Sequence, residues 1–352
     1  MSARRVLVAM SGGVDSSVAA ALLLDAGHQV VGVTLKLWGG ESDTGCCSVS
    51  DVDDARRVAD HLGIEHHVFN FGHEFTEHVV GPYVADHAAG RTPNPCIECN
   101  RHLKFDRLLR RAEALGFDAV ATGHHARIVE EPNGRRFVAR GADRAKDQSY
   151  VLHMLNQQQL ARVLLPIGDL NKEEVRARAA ALGLRTASKP DSQDVCFITS
   201  AQGRTRFLGQ RLALTPGRVV DAHGGSQVGK VEAVELVTIG QRKGLGGAGG
   251  GPPRFALAAD PSTATVVVGD AVDLLVGAQP VDALVWADGP LAGPLLVQTS
   301  AHGEPRPGTV EPAARGRAAL RWAQPERRVA PGQSVVLYLD DRVVGGGTAA
   351  PD

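Results

Sequence analysis

Val6-Leu-Val-Ala-Met-Ser-Gly-Gly-Val-Asp-Ser-Ser17 is the stretch whose reading decides the fold. Its apolar start, Val6 to Ala9, reads as a buried strand, and Ser16 to Leu24 reads as a helix closed by Gly27. Between them lies Ala9-Met10-Ser11-Gly12-Gly13-Val14-Asp15-Ser16. Two glycines let the backbone bend closely around an anion. The amides of the turn and the helix N-terminus point toward that anion, and Ser11, Ser16 and Ser17 add hydroxyl donors. An oligophosphate is the natural guest. The stretch lacks both the Gly-Lys-Ser/Thr ending of a Walker A loop and the G-x-G-x-x-G of a dinucleotide fold, so neither reading transfers. Asp15 adds negative charge beside the phosphates unless it binds Mg2+ or orients a hydroxyl. The plainer alternative is a strand-to-helix turn in which Asp15 or Ser16 serves as the helix cap.

Working outward, Val30 to Leu37 is the next strand. A helix follows through Val52, Ala55, Val58, Ala59 and Leu62, with Ser50 as its expected N-cap and Gly63 just past its end. His67 to Phe71 is a third strand, Leu103 to Leu115 a helix ending at Gly116, and Asp118 to Ala121 a fourth strand. This alternation predicts an α/β fold with a doubly wound parallel sheet, whose ligand site lies beyond the carboxyl ends of the strands. Pro132-Asn-Gly134 predicts a hairpin between Arg127 and Arg140, and Asn171 caps a helix over Lys172 to Leu182. After about residue 203 short β-like runs are separated by Gly and Pro. We therefore expect three domains: 1–203, a small β-rich domain at 204–276, and a β-barrel-like domain at 277–352. Gly244 to Gly251, with six glycines in eight residues, reads as a mobile loop.

Composition narrows the classes. The 352 residues carry a net charge of −1, so a nucleic-acid partner must be held by local basic patches rather than bulk attraction. No apolar run is long enough to span a bilayer, and the N-terminus has no cleavage-type signal, so a cytoplasmic protein is expected. Five cysteines (Cys46, Cys47, Cys96, Cys99, Cys196) are too few and too odd for a secreted disulfide framework. In such a chain they suit metal binding or chemistry.

The second landmark is Arg91-Thr-Pro-Asn94-Pro95-Cys96-Ile-Glu-Cys99-Asn-Arg-His-Leu-Lys-Phe105. Pro93 and Pro95 hold the approach extended, which places Cys99 at or near the start of the following helix. A helix N-terminus and the cations Arg91, Arg101 and Lys104 favour its thiolate. Lys104, Arg107, Arg110 and Arg111 form either a solvated face or a phosphate-backbone contact. Cys196 follows the polar run Ser188-Lys-Pro-Asp-Ser-Gln-Asp-Val195 and could by itself be an inert thiol.

Ser-Gly-Gly-Val-Asp-Ser resembles the pyrophosphatase loop of the ATP pyrophosphatase superfamily, whose sheet is of the adenine nucleotide alpha hydrolase type. Together with Cys46-Cys47-Ser, Thr-Pro-Asn-Pro-x-x-x-Cys-Asn, Ala121-Thr-Gly-His-His-Ala-Arg127, Lys146-Asp-Gln-Ser-Tyr150, the Cys196 segment and Thr238-Ile-Gly-Gln-Arg-Lys-Gly-Leu245, it resembles the tRNA-specific 2-thiouridylase family. The resemblance covers residues 5 to about 245 well and is weaker beyond. It implies a tRNA uridine 2-sulfurtransferase that adenylates O2 of the uridine at tRNA position 34 and replaces that oxygen with sulfur, releasing AMP and diphosphate. It implies ATP on Ala9 to Ser16, Leu35 and Gly123. Cys196 is then the persulfide carrier and Cys99 the nucleophile, and the two form a disulfide in the cycle. Asn94, Pro95, position 96 and His124 would meet the target base, and Lys146, Asp147, Gln148, Arg242, Lys243 and Gln333 the tRNA. The implied partners are tRNAs for Lys, Glu and Gln and a cysteine desulfurase or sulfur-relay protein.

Two departures stand out. Many relatives have Asp where this chain has Cys96, which raises an alternative in which Cys96, Cys99 and Cys196 ligate a [4Fe–4S] cluster. An Arg-Tyr pair that relatives place near Ser300-Ala-His302 is missing here. Two rival functions remain at this stage: a ligase of the tRNA lysidine synthase type, which needs no cysteine, and a non-catalytic nucleotide-binding or metal-binding module.

Overall fold

The structure is a computed structural model and describes residues 3–38, 49–191, 195–198, 203–246, 253–312 and 317–351. Cys46, Cys47 and most of the glycine-rich run lie outside the described residues.

Five parallel strands form the first sheet: β1 (Arg5–Ala9), β2 (Gln29–Lys36), β3 (His66–Asn70), β4 (Ala119–Thr122) and β7 (Val163–Leu164), in the order β3-β2-β1-β4-β7. β1 is central, and its side chains alternate between two cores. Val6 and Val8 join Val18 and Ala20 of α1 (Val14–Asp25), Val58 of α2 (Val49–Leu62) and Val175 of α5 (Lys172–Ala181). Leu7 joins the opposite cluster, built on α3 (72–88) and α4 (95–114). Burial on both faces is why Val6 to Ala9 reads as a continuous apolar run. Gly27, at φ +80°, ends α1, and His28 N–H donates to Leu23 O at 3.0 Å.

Two helix starts differ from expectation. Ser50 lies inside α2, which is already helical at Val49, so it is not the N-cap. α4 begins at Pro95 rather than near Leu103. Asn94 caps it by accepting from Cys96 N–H at 3.1 Å, and Pro95 sits where a missing N–H costs nothing. From Cys99 to Arg107 this helix runs in π form, which the 3.6-residue periodicity cannot reveal.

β5 (Ala126–Glu130) and β6 (Arg136–Arg140) form the expected hairpin. It joins the last domain instead of the first sheet: Ala139 pairs with Arg342 of β17 (Arg342–Ala349). The middle domain is a mixed four-stranded sheet of β8 (Gly217–Asp221), β9 (Gln227–Val231), β10 (Phe255–Asp260) and β11 (Thr265–Gly269). The last is a six-stranded antiparallel barrel of β12 (Leu275–Trp286), β13 (Pro294–Gln298), β14 (Arg306–Pro312), β15 (Ala318–Arg327), β16 (Ser334–Leu339) and β17, closed by pairing of β12 with both β15 and β17. Among the described residues no helix is long and apolar enough to cross a membrane.

The barrel meets the first domain through a buried polar junction. Arg140 donates to Asp147 at 3.0 Å and to Gln298 at 2.8 Å and lies 3.9 Å over the Tyr338 ring, while Tyr150 Oη donates to Ser334 O at 2.8 Å. With nearly every partner satisfied, such a junction orients one domain on the other.

Candidate active site

The turn between β1 and α1 has the geometry of an anion cradle. Gly13 precedes the helix in extended conformation and no side chain caps the first turn, which leaves its amides available to an anion. Ser16 Oγ accepts from Ser11 N–H at 3.2 Å, and the Ser17 hydroxyl donates to Gly13 O at 2.8 Å. Gly12 has φ +71°, and a Cβ there would lie 2.3 Å from Asp51 O, so only glycine permits this bend against α2. Gly123, after β4, packs equally closely: its Cβ would meet Ser16 N at 2.5 Å. Met10 is buried, as is Leu35 near the end of β2.

Charges surround the cradle. Asp15 accepts from both Lys172 Nζ (2.7 and 2.8 Å) and His125 Nε2 (3.2 Å). Burial alone would push its carboxyl up, but these hydrogen bonds and the Lys172 charge hold it below the ordinary carboxylate value. Asp191 takes Lys146, Lys172 and Arg176 at 2.8 to 2.9 Å. Partial burial opposes its ionisation, yet the lysine contacts lower its pKa to about 2. Lys189 donates to Gly12 O at 3.0 Å and to Asp51 and Asp54 at 2.7 Å each. Burial disfavours its charge, but the two carboxylates keep it protonated above the usual lysine value. Lys172, Lys189, Asp191, Asp51 and Asp54 were not singled out from the sequence. Only Asn171, as a helix cap, signalled that a charged first turn lay there.

The cysteine end is apolar. Cys99 is buried in the second turn of α4, five residues past the Asn94 cap, in the cluster that includes Ile97, Leu103, Phe75 and Tyr83. Cys196 is half-buried against the same cluster, and its neighbour Phe197 meets Phe75 (5.5 Å) and Tyr83 (5.5 Å) edge-on and Phe207 (5.1 Å) at a tilt. No disulfide joins Cys99 to Cys196 in this state. Cys96 is exposed.

The two ends meet at His124 and Lys104. His124 is buried, with Nδ1 2.7 Å from Thr122 Oγ1 and its ring 5.9 Å from that of Phe105. Burial first, then the charges of Lys104 and His125, hold it neutral well below the usual histidine range. On α4, Arg101, Arg107 and Arg110 pair with Glu98, Glu74 and Asp106. Among the described residues no carboxylate pairs with the half-buried Lys104, whose charge acts on His124.

The other candidates divide. Lys146 is exposed but bonded to Asp191. The Asp147 side chain is only 6% exposed, and its carboxylate accepts from Gly141 N, Ser149 N, Ser149 Oγ and Arg140. It is thus part of the barrel junction and turned away from solvent. Gln148 is exposed, and its Oε1 accepts from His125 N–H at 2.9 Å. Arg242 and Lys243 are exposed on the middle domain. Gln333 donates to Thr92 O at 2.6 Å, and Thr92 N–H donates to Pro331 O at 2.7 Å, so the barrel grips the approach to Asn94 and Cys96.

Asp15, in the first turn of α1, is the carboxylate of the cradle itself. Cys96 and Cys99 stand one turn apart on α4, Cys96 exposed and Cys99 buried, and Cys196 packs half-buried against the cluster that holds Cys99. Among the described residues, the one group of three metal-type ligands within single-ion reach is His223, Asp270 and Asp273 on the middle domain.

Comparison with known proteins gives three domain models in order along the chain: the tRNA methyl transferase HUP domain over residues 4–200, the tRNA methyl transferase PRC-barrel domain over 205–270 and the Aminomethyltransferase beta-barrel domain over 281–349. The chain is similar to the tRNA-specific 2-thiouridylase MnmA of Chloroflexus aurantiacus, at 47% identity over 98% of both chains. It is 48% identical to the protein of that name from Acidothermus cellulolyticus, over 98% of this chain and 97% of the relative. Among solved structures it matches the U34-tRNA thiolase NcsA from Methanococcus maripaludis at 18% identity and a TM-score of 0.36, over 60% of this chain and 66% of that one. With a phosphate cradle, a cysteine pair on one apolar cluster and near-full-length identity of this level, the chain belongs to the tRNA-specific 2-thiouridylase family.

Proposed function

We propose that this enzyme converts the uridine at tRNA position 34 to 2-thiouridine in tRNAs for Lys, Glu and Gln, using ATP and a sulfur atom delivered by a cysteine desulfurase or relay protein in the cytoplasm. Residues 1–203 carry the adenylation and sulfur transfer, and the domains at 204–276 and 277–352 hold the tRNA.

The chemistry needs two stages. C2 of uracil is a urea-like carbonyl with a poor leaving group. Attack of O2 on the α-phosphorus expels pyrophosphate and makes that oxygen part of an adenylate. The amides and hydroxyls of Ser11 to Ser16 bind the phosphates, Gly123 keeps the space beside Ser16 open, and Lys172 exchanges Asp15 for phosphate oxygen. Asp15 would hold a Mg2+ ion, which would supply charge neutralisation for the pyrophosphate. The base must leave its stack to reach this chemistry. Asn94, Pro95, Cys96 and His124 form the wall it meets, and the neutral His124 presents a ring nitrogen without adding charge.

The second stage is sulfur transfer. The terminal sulfur of a Cys196 persulfide attacks C2, and the C2–O bond breaks as AMP departs. Cys99 thiolate then attacks the Cys196 sulfur. The S–S bond breaks, its electron pair stays on the transferred sulfur as 2-thiouridine, and a Cys99–Cys196 disulfide remains for a thiol reductant to reopen. Lys146, Gln148, Arg242 and Lys243 contact the tRNA backbone, while Asp147 and Gln333 hold the domains that present them.

The observation that carries this reading is the placement of Cys99 and Cys196 on one apolar cluster of the domain that bears the phosphate cradle. Incubation with ATP, tRNA and a persulfide donor, followed by nucleoside analysis, should yield 2-thiouridine; its absence under both aerobic and anaerobic conditions would overturn the proposal. A lysidine-type ligase would keep its activity in both Cys99→Ser and Cys196→Ser.

A further inference from the structure

The segment leading to Cys196 is tied to the phosphate cradle at three successive points. Thr186 Oγ1 donates to Ser17 Oγ at 3.3 Å, Lys189 Nζ donates to Gly12 O at 3.0 Å, and Asp191 shares Lys172 with Asp15. Arg176 of α5 fixes the same segment from behind, donating to Ala187 O at 2.7 Å, Lys189 O at 3.0 Å and Asp191 at 2.9 Å. The bonds of Thr186 to Ser17, Lys189 to Gly12 and Lys172 to Asp15 join residues 157 to 177 positions apart in the chain, so they specify tertiary placement rather than local structure.

Lys189 is the centre of this arrangement. Its ammonium has three hydrogens, and three acceptors take them: the Gly12 carbonyl at the bend of the cradle, Asp51, and Asp54 one turn further along α2. The same Gly12 bend is pressed against Asp51 O, where no Cβ fits. One ammonium therefore fixes the bend, the start of α2 and the approach to Cys196 together. Cys196 follows Asp191 by five residues, so its backbone cannot stray more than about 18 Å from that anchor.

We propose that Lys189 is a positioning residue that couples the phosphate cradle to sulfur delivery: with the cradle bent around Gly12, the Cys196 segment is held where its persulfide meets the adenylated uridine. Lys172 and Asp191 complete the bracket on the other side of the cradle. The inference rests on the two-stage reading above. Its consequence is a change in the yield of sulfur per ATP, beyond any change in rate. When the bracket is loosened, the adenylated uridine waits for a misplaced persulfide, and water attacks instead, returning uridine with AMP and pyrophosphate.

The test measures tRNA-dependent pyrophosphate release and 2-thiouridine formation in the same reaction, with Cys196 preloaded as persulfide. Wild type gives the baseline and, by forming 2-thiouridine, establishes the underlying activity independently. In Lys189→Met both rates are expected to fall, with 2-thiouridine per pyrophosphate dropping at least about tenfold, because a displacement near 1 Å costs that much or more in a reacting geometry. Lys189→Arg should restore most of the ratio. The double variant Asp51→Asn with Asp54→Asn, which keeps the ammonium and loosens only its seat, should lower the ratio less, and it serves if Lys189→Met does not fold. An unchanged ratio in a folded Lys189→Met protein, or in the double variant in its place, overturns the proposal: Lys189 then supports the cradle alone.

Discussion

The two ends of the active site are built from opposite materials. Around Gly12 and Asp15 nearly every interaction is ionic: Lys172, Lys189 and Arg176 face Asp15, Asp51, Asp54 and Asp191. Cys99 lies in, and Cys196 packs against, the apolar cluster that includes Phe75, Tyr83, Phe197 and Leu103. The difference follows the chemistry. A polyanion needs fixed cations that exchange carboxylate for phosphate with little net change in charge. A persulfide needs surroundings that exclude water, the competitor for an activated carbon. One domain thus holds a wet, charged half and a dry, aromatic half.

The largest expected effect lies in the dry half. Phe197→Ala removes a side chain 3% exposed that packs against four rings, those of Trp38, Phe75, Tyr83 and Phe207. A loss of about 3–5 kcal/mol is expected in urea unfolding. A loss below about 1 kcal/mol would mean the aromatic cluster does not hold the Cys196 segment. The same cluster continues through Leu152 and Met154 to His153, which is buried with its Nδ1 3.1 Å from Tyr150 O. Burial lowers its pKa to about 4 against 6.5. Because the folded value is depressed, the contribution of neutral His153 is present above pH 6.5 and is lost as pH falls from 6.5 toward 4. That loss amounts to roughly 3 kcal/mol. His153→Gln should flatten the pH dependence of stability across this window, and an unchanged slope contradicts the assignment.

In the charged half, Gly123→Ala pushes a Cβ toward Ser16 N, which lies 2.5 Å away and belongs to the backbone. Pyrophosphate release should fall about 100-fold, while alkylation of Cys99 and Cys196 proceeds as in wild type. Parallel loss of both would erase the division between the halves. The smallest effect lies outside both halves: replacing the exposed Lys243 in Lys243→Met should weaken tRNA binding across isoacceptors and reduce the salt slope of affinity by about 1. An unchanged slope removes Lys243 from the phosphate backbone.

The charged half was the more legible in sequence at its centre and the less legible at its rim. Ser11 to Ser16 announce themselves because a strand, two glycines and a helix start are contiguous. Lys172, Lys189 and Asp191 are hidden because their partners lie far away in the chain and a lysine before a proline has no periodic signal. In the dry half both cysteines were found through a family resemblance, whereas the start of α4 was misplaced. Pro95 and Asn94 form a recognisable cap, but the π stretch from Cys99 shifts the apolar spacing downstream and masked the first turn. Asp147 looked like a tRNA contact beside Lys146, and only the fold reveals that Arg140, twisted in from the barrel-bound hairpin, consumes its carboxylate.

The central claim is that ATP chemistry and sulfur chemistry occupy separable halves of one site. It is tested most directly by following pyrophosphate and 2-thiouridine together in Cys196→Ser. The account predicts tRNA-dependent pyrophosphate release with no 2-thiouridine. Continued formation of 2-thiouridine by this variant, or loss of pyrophosphate release from a folded protein that still binds ATP and tRNA, would contradict it.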